Sequence, residues 1–194
     1  MSVNLLEAIQ IQMGYPALQK IDPNTQVVVE DSSTPNEDRF SQAAIPAVLT
    51  ALYKYSRTDE GAENILLGNP STVWTDVIFA DNKESILQKI AAYSFYSQEN
   101  AMMKMHSIAA SAVSMIKEKL PENATSHDVK LFLTGQRNNI LLYLPAVLQI
   151  GEMLHDNTLD DRTNKMEGPV SSMMRAIGSQ FSDGEVEKKE TNIN

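Results

Sequence analysis

Along most of the chain, apolar residues recur at intervals of three and four, the spacing of one face of an α-helix. Leu5, Leu6, Ile9 and Met13 form the first such stripe, with Asn4 as its predicted cap and Gly14-Tyr15-Pro16 as its stop. Between Ile21 and Glu37 the periodicity gives way to Asp, Pro, Asn, Ser and Thr, which predicts a long loop. Its one apolar run, Val27-Val28-Val29, has no second strand to pair with. Helical spacing resumes from Arg39 to Tyr55, carried by Phe40, Ala44, Ala47, Val48, Ala51 and Leu52.

Four further helices follow in quick succession. Thr58 or Asp59 caps one that reaches Leu67 and stops at Gly68-Asn69-Pro70, and Ser71 opens another with Val73, Trp74, Val77, Ile78 and Phe79. Asp81 or Asn82 caps a third, with Ile86, Ile90, Ala91, Tyr93 and Phe95, and Ser97 precedes a long amphipathic one from about Asn100 to Leu120, ended by Pro121. Ser126 is expected to cap a short helix closed by Gly135, and Arg137 to Leu154 reads as a second strongly apolar helix. The polar run after His155 reads as a loop, Met166 to Phe181 as a last helix, and 182–194 as a disordered tail. Period-2 alternation is scarce. The expected fold is all-α: an irregular bundle of about eight or nine helices forming a single domain over 1–181.

Two of the apolar runs share a pentapeptide pattern, Ile45 to Leu49 (IPAVL) and Leu144 to Leu148 (LPAVL). Each run follows a polar segment and, before that, an amphipathic helix. The repeated order suggests two related halves with proline-kinked central helices. A proline inside a helix forfeits one backbone hydrogen bond and crowds the carbonyl four residues back, at roughly 3 kcal/mol where exposed. In a helix's first turn, the alternative for either residue, nothing is lost.

Composition narrows the classes of function. The net charge of −9 repels phosphate backbones, so nucleic-acid binding is not expected, nor is attraction to an anionic membrane surface. The absence of cysteine excludes disulfides, thiolate catalysis and cysteine-held metals. No apolar stretch approaches the ~20 residues of a membrane span. The first fifteen residues lack the pattern of a secretion signal, so the expected location is the cytoplasm.

NLLEAI near the start, AAIPAVLTAL followed by GAENIL, and DVKLFLTGQRNNILLYLPAVL resemble the YidB-like family of bacterial proteins (DUF937). The positions that carry the resemblance include Ala43, Pro46, Leu49, Gly61, Ala62, Leu131, Leu133, Gln136, Arg137, Ile140, Leu144, Pro145 and Leu148. The resemblance covers 3–155 loosely. It implies a small all-helical bacterial cytoplasmic protein and carries over no catalytic residue.

Candidate chemistry is sparse. His106 lacks a second ligand three or four residues away, and His127 and His155 sit at helix ends where capping accounts for them. Asp156 to Glu167 places oxygen side chains in a twelve-residue frame reminiscent of a calcium loop, but Asp161 stands where the turn needs glycine. No phosphate loop, nucleophile elbow or dinucleotide fingerprint occurs, and no cofactor or metal is expected. Met102, Met103, Met105 and Met115 cluster on the long helix, with Met173 and Met174 further on. Methionines in such numbers suit an irregular core or an adaptable contact surface. The leading expectation is a non-enzymatic module for protein interaction or self-assembly. The alternative is an enzyme or small-molecule binder with a site between the helical halves, where Gln136, Arg137 and Tyr143 are the candidate polar residues.

Overall fold

The computed structural model describes residues 3–22 and 33–159, and the statements below concern those residues. Met173, Met174, the expected helix over 166–181 and most of the calcium-like frame lie outside them. The architecture is all-α. Eight helices run in the order α1 Leu5–Gln12, α2 Asn36–Tyr55, α3 Asp59–Leu67, α4 Trp74–Phe79, α5 Lys83–Ser94, α6 Gln98–Lys119, α7 Ser126–Leu141 and the single turn α8 Ile150–Met153. Three short 3-10 turns lie at Ala80–Asn82, Ala146–Leu148 and Asn157–Leu159. No described helix is long and apolar enough to cross a membrane.

The helix starts follow local side-chain chemistry. Asn4 accepts from the Glu7 N–H, Thr58 from the Gly61 N–H and Ser97 from the Asn100 N–H, each satisfying an amide that the helix itself leaves open. At α7 the cap is Thr125, one residue before the expected Ser126. Asp128 reaches back to the Thr125 amide at 2.8 Å and completes a reciprocal capping box.

The centre of the bundle is α2. All thirteen residues from Phe40 to Leu52 are buried, about three and a half turns with no solvent-facing side. Helices α1, α4, α5, α6 and α7 all pack against it. The outer helices are amphipathic by contrast: α6 buries Ala101, Met105, Ile108, Ala109, Ala112, Val113, Met115 and Ile116 and leaves the positions between exposed or half-buried.

Two buried glutamines tie distant segments to this framework. The Gln42 carboxamide accepts from the Gln19 N–H at 2.8 Å and donates to the carbonyls of Gln19 and Tyr143 at 3.1 and 2.8 Å. Gln136 accepts from the Leu5 N–H at 2.9 Å and donates to the Val3 carbonyl at 2.8 Å, fixing the start of α1 to α7.

The two proline pentapeptides do not share a conformation. Pro46 lies in the middle of α2, where packing on every side offsets the missing hydrogen bond. Pro145 lies outside any α-helix, in extended backbone before the 3-10 turn. The expected helix from Arg137 to Leu154 is therefore two pieces. The expected stop at Gly135 is also absent, because the buried stripe Val129, Leu133, Gln136, Ile140 continues across it. A lone glycine costs such a helix only about 1 kcal/mol. Beyond Leu141 the carbonyls of Leu142 and Tyr143 have partners elsewhere, the Ile21 N–H at 2.9 Å and the Gln42 side chain. That removes the incentive to continue the helix towards a proline that could not donate to it.

Two stability changes follow. The Thr50 hydroxyl is buried in α2 without a hydrogen-bond partner. Thr50→Val keeps the branched shape and removes the orphaned group, and should stabilise by about 1 kcal/mol. In a thermal melt that is a rise of roughly 2–4 °C. Gly61 lies under the turn that joins α2 to α3, and a methyl group there would overlap the Tyr55 carbonyl, which cannot swing aside. Gly61→Ala should lose roughly 1–3 kcal/mol, read as a lower denaturant midpoint.

Candidate functional site

The most unusual chemistry gathers where the start of α2 meets the α5–α6 corner. The Lys104 ammonium, on α6, donates to Glu37 Oε1 at 3.0 Å. It also stands 5.7 Å from the ring centre of Tyr15, 5.8 Å from that of Phe40 and 5.7 Å from that of Tyr96. The rings brace one another: Tyr15 and Phe40 are 6.2 Å apart at 47°, and Phe40 and Tyr96 are 5.4 Å apart at 41°. Tilted aromatic pairs at such distances are favourable, and a cation facing their π-clouds adds attraction.

Each member is set by local structure. Gly14, at φ +70, turns the chain out of α1, and a bond from Gln10 Nε2 to the Tyr15 carbonyl (3.0 Å) holds that residue in place. Glu37 and Phe40 belong to the first two turns of α2. Tyr96 is delivered by the end of α5, where its N–H bonds back to the Ala91 carbonyl at 3.1 Å. Burial pushes the Tyr15 hydroxyl above its usual range, with Lys104 opposing. The hydrogen bond to Glu37 raises Lys104 above the ordinary lysine range, against the effect of burial.

The same corner holds a strained residue. Phe95 ends α5 in the left-handed conformation (φ 57, ψ 26), the position where a helix stop favours glycine. A side chain there costs roughly 1–2 kcal/mol. The ring recovers little by burial, since it is 68% exposed. The Arg39 guanidinium stands 5.1 Å from the ring centre. A cation–π contact at an exposed site contributes about 0.5–1 kcal/mol.

The residues expected from sequence are scattered by comparison. Met105 and Met115 are core residues, whereas Met102 and Met103 are exposed in the second turn of α6, beyond the Phe95 corner. Gln136, Arg137 and Tyr143 have separate tasks. Gln136 anchors α1, Arg137 donates to the Thr158 carbonyl at 2.8 Å, and Tyr143 packs its side chain on the core while its carbonyl receives Gln42. Asp156, first in the calcium-like frame, already accepts from Arg57 at 2.7 Å and from the Thr158 hydroxyl at 2.6 Å. No group of three His, Asp or Glu side chains suited to a metal occurs among the described residues. The Lys104 cluster was not visible in sequence, because its members come from four separated segments and none carries a spacing of its own. The pair Phe95-Tyr96 before a predicted cap was the only local sign. Comparison of the chain with protein-family models, curated proteins and solved structures yields no match.

The cluster should have an alkaline signature. Folded Lys104 keeps its proton above the ordinary value of 10.5, and folded Tyr15 above 10.0. At pH values between the unfolded and folded pKa, the native chain holds more protons than the unfolded one, so stability falls as pH rises. The intact protein should melt above Lys104→Met at neutral pH, and the gap should close above about pH 10.5 as Lys104 is neutralised. Parallel melts of the two proteins across that range check it.

Proposed function

We propose that the protein is a non-enzymatic helical module that pairs with a second copy of itself through the Phe95 corner. The observation that carries this reading is Phe95: a large apolar ring held exposed in a backbone conformation that folding alone would assign to glycine. Two exposed methionines, Met102 and Met103, extend the apolar character along the start of α6. Both are unbranched and adapt to irregular partners. Charges of both signs lie on the two elements that meet at this corner: Arg39, beside the Phe95 ring, with Glu37 and Asp38 at the start of α2, and Lys104 with Glu99 at the start of α6. A patch of mixed sign can complement its own image across a two-fold axis, even in a chain whose net charge is −9. The resemblance to YidB-like bacterial cytoplasmic proteins belongs to the same reading.

Sedimentation velocity over a hundredfold range of concentration tests it. The intact protein should shift towards a dimer as concentration rises. Phe95→Gly should remain monomeric throughout while melting at the same temperature or a few degrees higher, because glycine relieves the left-handed strain. A strictly monomeric intact protein, or an unchanged dimer in Phe95→Gly, overturns the proposal.

A further inference from the structure

The aromatic cluster supports a second inference that does not depend on the Phe95 surface. Three ring faces within 6 Å of one ammonium, closed by a carboxylate at 3.0 Å, form the kind of arrangement that binds alkylammonium groups. Here the occupant is the chain's own lysine. We propose that the pocket walled by Tyr15, Phe40, Tyr96 and Glu37 is a binding site for a primary alkylammonium group, which Lys104 fills in the free protein and which a ligand enters by displacing it.

Three observations support displacement over a fixed structural pair. The Lys104 side chain is 37% exposed, so its ammonium has a path to water along a flexible four-carbon stem. The rings also hold one another independently of Lys104, since Phe40 is fully buried and contacts both tyrosines. Glu37 is half exposed at the rim, where it can accept an N–H from an incoming group as it does from Lys104. The ligand class follows from the present occupant: the site already holds a primary alkylammonium group. The acidic chain raises the local concentration of such cations. A tethered lysine competes at high effective concentration, so affinity in the intact protein is reduced by the fraction of molecules in which Lys104 has swung out.

The test is a titration with n-butylammonium at ionic strength fixed with sodium chloride, following the ring-proton resonances of Tyr15, Phe40 and Tyr96. Lys104→Met should bind at least tenfold more tightly than the intact protein. Adding Tyr96→Leu to that variant should abolish saturable binding. Lys104→Gln, with a shorter polar side chain, gives a second vacated site should the Met variant fold poorly. Equal affinity in the intact and vacated proteins, or shifts no larger than those from sodium chloride alone, would overturn the proposal. Tetramethylammonium, which has no N–H for Glu37, should bind more weakly than n-butylammonium; equal binding would overturn the assignment to a primary ammonium. In the vacated protein, Nα-acetyl-lysine methylamide and spermidine then separate the two sources of the same group, a peptide lysine and a free polyamine, by which of them binds more tightly.

Discussion

The structure depends on burying one helix around its whole circumference. From Phe40 to Leu52, α2 has no face towards water, so every polar group it carries must find its partner inside the protein. Ser41 turns back onto the Asp38 carbonyl. Gln42 makes three hydrogen bonds to two segments that are far apart in sequence. Thr50 is the exception and is left unpaired. This demand explains the outer shell. Amphipathic helices are needed on all sides, and the irregular stretches around Gln19 and Tyr143 are held because their backbone groups complete the hydrogen bonding of α2.

How far that arrangement can be read from sequence differs by feature. The stretch FSQAAIPAVLTAL contains no charge, and its helical spacing points to a buried helix. Helix starts are equally plain at Asn4, Thr58 and Ser97, because a cap is a local bond between near neighbours. Helix ends near proline and glycine are less legible. Pro46 and Pro145 sit in almost the same pentapeptide and reach opposite outcomes, since what decides is whether neighbouring carbonyls have partners more than a hundred residues away. Gly135 shows the same priority in reverse: its buried stripe outweighs its poor propensity. The aromatic corner was illegible for a related reason. Tyr15, Phe40, Tyr96 and Lys104 become neighbours only after α1, α2, α5 and α6 have packed.

The ends of α3 and α5 pose the same backbone problem and solve it differently. Helix α3 stops at Gly68, in left-handed backbone, and the Leu67 carbonyl beside it is met by the Lys117 ammonium. Helix α5 stops at Phe95 in nearly the same conformation. Glycine at the first is what conformational energy alone would select. Phenylalanine at the second runs against that preference and leaves the ring largely in water, with the Arg39 guanidinium offsetting only part of the cost, so the stability of the single chain gives little reason for it. The proposed self-association would supply one. Lys104 differs in this respect: its ammonium is fully provided for within the fold, by Glu37 and three rings, so stability alone accounts for its presence. What stability does not require is that so complete a cation site be left partly open to solvent on one side. The two features therefore call for separate evidence, and one can hold without the other: Phe95 bears on whether the corner meets another surface, and Lys104 on whether the pocket behind it accepts a guest.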